Sequence, residues 1–175
     1  KDIRTGRVRS HNYNGEFAFR PGLTWTGIGI VFAIRIAPSG FMFDTKAPMA
    51  FSSSAHQDLS IAAFLNSCVS AHFLGLLAPT LDFKIGHILN LPLVPQEHNA
   101  FAINALKCVT ASNADWNAYE RSWDFQSLPL LSAANDPNPT LETSHTAWIA
   151  NNKQTIAEMK RLEEENNRLF IDAYG

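Results

Sequence analysis

Apolar and polar positions alternate most clearly from residue 31 onward. Phe32, Ile34 and Ile36 share one face, Val31, Ala33 and Arg35 share the other, and Pro38-Ser39-Gly40 forms a turn before Phe41 and Phe43. This pattern predicts an antiparallel hairpin with one face on a core and Arg35 projecting from the opposite one. Residues 1–30, punctuated by Gly6, Gly15, Pro21, Gly22, Gly27 and Gly29, read as loop with short strands. Between Asp58 and Leu77, Ile61, Phe64, Leu65, Cys68 and Phe73 recur at a helical period that ends at Pro79. A largely buried helix is expected there, with His72 as a core histidine. Leu81, Phe83 and Ile85 then alternate with Asp82, Lys84 and Gly86, which predicts a strand. A tight turn and an edge strand from Ile88 into Pro92-Leu93-Val94-Pro95 should follow.

A second helix is predicted from Glu97 to about Ser112. A short helical segment from Asp115 to Phe125 should lay Trp116, Tyr119, Trp123 and Phe125 over the sheet. Residues 132–140, polar and broken by Pro137 and Pro139, read as a linker. From Glu142 to Tyr174 apolar residues return at heptad spacing, as in Trp148, Leu162 and Leu169, Ile149, Ile156 and Phe170, and Met159 with Ala173. That is a long amphipathic helix. Asn152, Thr155 and Asn166 interrupt its seam, so it should pack on another helix of its parent protein rather than form an autonomous coiled coil. The expected fold is α+β: a small mixed sheet with β-hairpins packed on helices (1–131), the linker (132–140) and the long C-terminal amphipathic helix (141–175).

With 175 residues, 46% hydrophobic and 17% charged, the chain can bury one core, and disorder and collagen-like repeats are excluded. The most apolar stretch, Ile61 to Leu77, carries Asn66, Ser67, Ser70 and His72, so no membrane span is expected. Cys68 and Cys108 stand alone and read as buried thiols of a reducing compartment. Arg4, Arg7 and Arg9 are not followed by an apolar run, so no signal peptide is read. A start at Lys1 suggests a piece excised from a longer chain in the bacterial cytoplasm. The net charge of −2 conceals a gradient: seven basic against three acidic side chains over residues 1–50, but three against seven over residues 51–140. An anionic partner would meet the N-terminal third.

Little in the chain spells catalysis. Ser52 to Ser54, His56 and Asp58 include the residue types of a hydrolytic triad but crowd into one stretch without a Gly-x-Ser-x-Gly elbow. A helix N-terminus capped by Ser54 or Asp58 explains them better. The six histidines do not pair at metal-ligand spacing, so no metal is expected. Gly27-Ile28-Gly29 lacks the remainder of a nucleotide loop and reads as a turn. Glu163, Glu164 and Glu165 beside Lys160, Arg161 and Arg168 read as a solvated helix face. The hairpin offers another chemistry, since a twisted ribbon can enter the DNA major groove and Arg can read guanine bidentately. Arg35 would then meet a base edge, Arg20 and Lys46 phosphates, and Thr24 and Ser52 polar groove positions.

A series of phrases, taken in order, resembles one family. These are Phe19-Arg20-Pro21-Gly22-Leu23-Thr24-Trp25, Phe32-Ala33-Ile34-Arg35, Pro38-Ser39-Gly40-Phe41-Met42-Phe43-Asp44 and Phe64-Leu65-Asn66-Ser67. Asn90-Leu91-Pro92-Leu93, Asp115-Trp116, Ser122-Trp123-Asp124-Phe125 and the closing stretch from Glu164 to Gly175 follow. They look like the C-terminal part of the PglX-type adenine-specific DNA methyltransferases of BREX phage-defence systems. The Leu65-Asn66-Ser67 helix with the Leu91-Pro92-Leu93 exit is also similar to target-recognition domains of type I and single-chain (type IIG) restriction-modification enzymes. The resemblance implies a domain that reads double-stranded DNA opposite a methyltransferase domain, while the target adenine is flipped out. No Asn-Pro-Pro-Tyr or Asp-Pro-Pro-Tyr motif and no glycine-rich cofactor loop is present. No catalytic residue and no cofactor are therefore expected here, and S-adenosylmethionine would belong to the catalytic domain of the parent chain. In a rival reading the terminal helix docks on other defence-complex subunits through Trp148, Ile156, Met159, Leu162 and Leu169.

Overall fold

The computed structural model describes residues 13–94, 99–134 and 136–175. Its described elements are β1 (Gly22–Trp25), β2 (Ile34–Ala37), β3 (Met49–Ala50), α1 (Ala55–Leu65), α2 (Cys68–Leu77), α3 (Ile85–Leu89), α4 (Ala100–Asn117) and α5 (Leu141–Tyr174), with short 3-10 turns at Gly15–Phe17 and Pro129–Leu131. The class is α+β as expected. The sheet is antiparallel in the order β2-β1-β3.

The 31–43 hairpin does not form. Ile34 to Ala37 make a strand, but its partner is β1, with Thr24 opposite Arg35 and Trp25 opposite Ile34. Phe41 bonds instead to the residue ahead of β1: Phe19 N–H donates to the Phe41 carbonyl (3.1 Å) and Gly40 N–H to the Phe19 carbonyl (2.9 Å). Alternation predicts that a strand exists but not which strand pairs with it. Here Leu23 and Trp25 add two almost fully buried side chains that Phe41, half exposed, does not offer.

The helix expected from Asp58 to Leu77 is two helices meeting at 69°. The break is made by Asn66, whose carboxamide accepts from Ile34 N–H (3.0 Å) and donates to the Ile34 carbonyl (3.1 Å). One side chain thus occupies both backbone groups of a β2 residue. Ser67 restarts the helix by accepting from Ser70 N–H (3.2 Å). Asn66→Ala is expected to cost about 2 kcal/mol, two hydrogen bonds at about 1 kcal/mol each, in urea unfolding. His72 is exposed against Phe73 rather than in the core, because it faces away from the side of α2 that buries Ser70 and Leu74. Among the described residues no single helix is long and apolar enough to cross a membrane.

Residues 81–83 pair for only one bridge, Ile28 with Asp82, flanked by Gly29 N–H to Leu81 O (2.9 Å) and Phe83 N–H to Gly27 O (2.8 Å). The buried Trp25 indole then donates to the Phe83 carbonyl (3.0 Å). The chain turns into α3, where His87 Nδ1 accepts from Lys84 N–H (3.3 Å). The expected strand at Ile85 and edge strand from Ile88 are therefore, as far as Val94, a single helical turn and its exit; Pro95 lies outside the described residues.

The helix predicted from residue 97 is α4, which runs on to Asn117 and so absorbs the start of the expected 115–125 segment; residues 97 and 98 lie outside the described ones. Its aromatic side chains do not cover the sheet. Trp123 is 95% exposed, and Trp116 and Tyr119 flank the Arg121 guanidinium at 5.3 and 5.5 Å from their ring centres. The inner face of the sheet is already occupied by α1, whose Phe64 sits in the core with Leu23, Trp25 and Ile34.

Helix α5 spans 34 residues and opens with a Thr140–Thr143 capping box. It packs on α4, α2 and the 129–131 turn. Its last turns are tied into the core. Phe170 lies between Phe101 (4.4 Å) and Phe64 (5.5 Å), and Tyr174 stacks on Phe64 (5.6 Å) while its hydroxyl donates to the Pro92 carbonyl. Asn166 donates to the Ala63 carbonyl (3.0 Å), and Asn167 accepts from Cys68 N–H (2.8 Å) at the start of α2. The glutamate-rich face carries the expected ion pairs, Arg161 with Glu158 and Glu165 and Lys160 with Glu164.

Candidate nucleic-acid interface

Side chains alternate across a strand, so Gly22 and Thr24 of β1 address the face of the sheet that turns away from α1. Arg35 is the cross-strand partner of Thr24 and shares that face; Met49 of β3 continues the row on the other side. Arg35 is exposed, and the Thr24 hydroxyl donates to the Pro48 carbonyl (3.0 Å), which leaves only its lone pairs free.

Arg20 reaches the same face through an aromatic seat. A Cβ on Gly22 would lie 2.9 Å from the Phe51 ring, so that ring covers Gly22 on the outer side of the sheet. The Arg20 guanidinium stands 5.9 Å from the centre of Phe51 and 5.1 Å from that of Phe17. Phe17 and Phe43 pack against Phe51 at 5.0 and 6.2 Å. This seat positions the cation and leaves its N–H groups in solvent. Arg20, Thr24 and Arg35 are therefore brought onto one surface by β1, a strand the alternation did not single out.

Lys46 lies apart, on the loop before β3, where its carbonyl accepts from Gly27 N–H (2.9 Å) and its side chain is exposed. Beside it, hydrogen bonds from the Thr45 hydroxyl and amide hold the Asp44 carboxyl below its usual range, so acid and base neighbour each other on this loop. Ser52 is half buried, and its hydroxyl donates to the Ser54 carbonyl (2.8 Å). Ser54 in turn caps α1 by accepting from Gln57 N–H (3.2 Å), so this serine run serves a helix start, with His56 exposed on its first turn.

The helix residues divide by position. Leu162 is buried in this chain's own core, Met159 and Leu169 are half buried, Trp148 is half buried beside the 129–131 turn, and Ile156 is 68% exposed.

The two cysteines are free, but not buried as expected. Cys68 is exposed because it opens α2 at the bend, whereas Cys108 is half buried on α4. Loss of solvent there, with Glu163 and Glu158 nearby, pushes the Cys108 thiol up and keeps it protonated.

Sequence reasoning missed one feature. A cleft of about 970 Å³ runs between the outer edge of β2 and the helices α1, α4 and α5, lined by Arg35, Asn66, Asn104, Leu162 and Asn166 among others. Asn104 is only 6% exposed, and its Nδ2 and the Oδ1 of Asn166 are buried without partners. An Asn within the Phe101, Ala105 and Cys108 stripe of α4 is the signal that could have marked it.

No family model matches the chain. It is 43% identical over an alignment of 177 positions to the adenine-specific methyltransferase PglX of Lacticaseibacillus casei (strain Zhang), covering 99% of this chain and 15% of that protein. It is 32% identical over 167 positions to the adenine-specific methyltransferase BrxX of Escherichia coli O9:H4 (strain HS), covering 93% of this chain and 13% of that protein. The ordered phrases in the sequence thus pointed to these proteins: the chain aligns over nearly its whole length with a segment of each and spans only 15% and 13% of their lengths.

Proposed function

We propose that this chain is the DNA-recognition part of a site-specific adenine-N6 methyltransferase of a BREX or restriction-modification defence system. The observation that carries the reading is the common face of Arg20, Thr24 and Arg35, in a chain that matches adenine-specific methyltransferases. On this reading Arg35 meets a base edge, while Arg20, held by its aromatic seat, and Lys46 on the adjoining loop contact phosphates. Thr24 and Ser52 line the groove as acceptors. Methyl transfer itself falls to a catalytic domain with S-adenosylmethionine elsewhere in the parent polypeptide, which is this chain's nearest partner after DNA.

The test is selection from a duplex library at two salt concentrations. Arg35→Ala is expected to flatten the preference at one position, a loss of about 1–3 kcal/mol in discrimination. Lys46→Ala should weaken binding to every sequence and lower the salt slope by about 1. Wild-type selectivity in both variants would reject the assignment.

The exposed Ile156 on α5 favours a second reading, docking of that helix on another defence-system subunit. Salt distinguishes the two, because an apolar seam is nearly indifferent to it whereas phosphate contacts weaken steeply.

A further inference from the structure

β2 is an edge strand, and its free edge opens into the cleft. Both backbone groups of Ile34 bond to Asn66 and so point away from β1. Backbone direction repeats every second residue, so the N–H and C=O of Ile36 point the same way. Asn66 therefore acts as a one-residue strand at Ile34, and the next pairing position along the edge stands open. Across the cleft, Asn104 Nδ2 and Asn166 Oδ1 supply one unpartnered donor and one unpartnered acceptor in buried positions. Burying such groups unpaired costs about 1–3 kcal/mol each.

An occupant that satisfies this cleft needs hydrogen-bonding groups on two opposite edges and a thin, largely apolar body. An extended polypeptide has that form, with alternate N–H and C=O groups on both sides. The charged lining, Arg35 and Glu163, is balanced, so the segment should be uncharged.

We propose that this cleft binds an extended, uncharged segment with alternating apolar side chains, which adds a fourth strand beside β2 and bonds on its far edge to Asn104 and Asn166. The source assigned is the methyltransferase polypeptide outside this region, since the chain corresponds to only 15% of the PglX relative and a tethered segment has a high effective concentration. The inference rests on the match to these methyltransferases and not on the DNA-binding reading.

The test is an array of overlapping 15-residue peptides tiling the remainder of the Lacticaseibacillus casei PglX sequence, probed with the 175-residue chain. One or two adjacent tiles with alternating apolar residues are expected to bind, and Ile36→Pro should weaken them at least tenfold. Proline at an outward-facing edge position removes the donor without touching the β1 pairing. Asn104→Leu should weaken the same tiles, and it keeps the test in hand should the proline disturb folding, with circular dichroism as the check. Absence of any binding tile, together with an Asn104→Leu chain more stable than wild type, would mean that the cleft holds water only and would overturn the proposal. Tile binding indifferent to both substitutions would overturn it too, as would duplex DNA displacing the tiles from wild type.

Discussion

Phe170→Ala is expected to destabilise the chain by about 4 kcal/mol, the usual scale for emptying a buried Phe site. Phe170 is 1% exposed and stands between the Phe101 and Phe64 rings, so its ring joins α5 to α4 and α1 at once. Tyr174, one turn further on, stacks on the same Phe64. Neither helix can close over the vacated site without moving the other, so little of the cavity collapses. Urea unfolding followed by circular dichroism measures the loss, with Ile156→Ala, on an exposed position of the same helix, expected within about 0.5 kcal/mol of wild type. Equal midpoints for the two variants would mean that α5 is not part of this core.

Several residues within the phrases that carry the resemblance hold the helices in place in the structure. Asn66 docks α1 on β2, Asn166 and Asn167 bind the ends of α1 and α2, and Phe170 and Tyr174 fill the space between helices. A likeness in such residues speaks for a shared framework. The same phrases carry Arg20, Thr24 and Arg35 of the sheet face, so framework and surface residues were legible together.

The legible elements were those whose signal is local. The 34-residue helix α5 repeats apolar residues at heptad spacing from Trp148 to Ala173, about seven turns, and the Ser54 cap lies three residues from the amide it binds. What escaped depends on distant partners. The bend between α1 and α2 is set by Ile34, 32 residues before Asn66. The exposure of Trp116 and Trp123 follows from α1 having already covered the sheet. The interface suffered in the same way. Arg20, Thr24 and Arg35 stand out for their chemistry, but the expected hairpin holds only Arg35 of the three, and it is a four-residue strand behind Pro21 that brings them onto one face.

That dependence on β1 makes Gly22→Ala the sharpest test of the interface. A Cβ at this position would lie 2.6 Å from the Ala50 carbonyl oxygen and 2.9 Å from the Phe51 ring. The carbonyl belongs to β3 and cannot move without breaking the pairing of Leu23 with Ala50, so the added methyl must push the strands apart. The expected cost is about 3 kcal/mol, at the upper end for overpacking by a single carbon. Gly75→Ala provides the contrast: nothing lies within 4 Å of its added Cβ inside α2, and the change should stabilise the chain by about 0.5–1 kcal/mol. The same methyl displaces the Phe51 ring on which Arg20 rests. At a temperature where the Gly22→Ala chain is still folded, its DNA affinity should therefore fall about as far as that of Arg20→Ala, and the double variant should be no weaker than either. Losses that simply add would show that Arg20 acts independently of its seat, and the sheet face would then be two separate contacts rather than one surface.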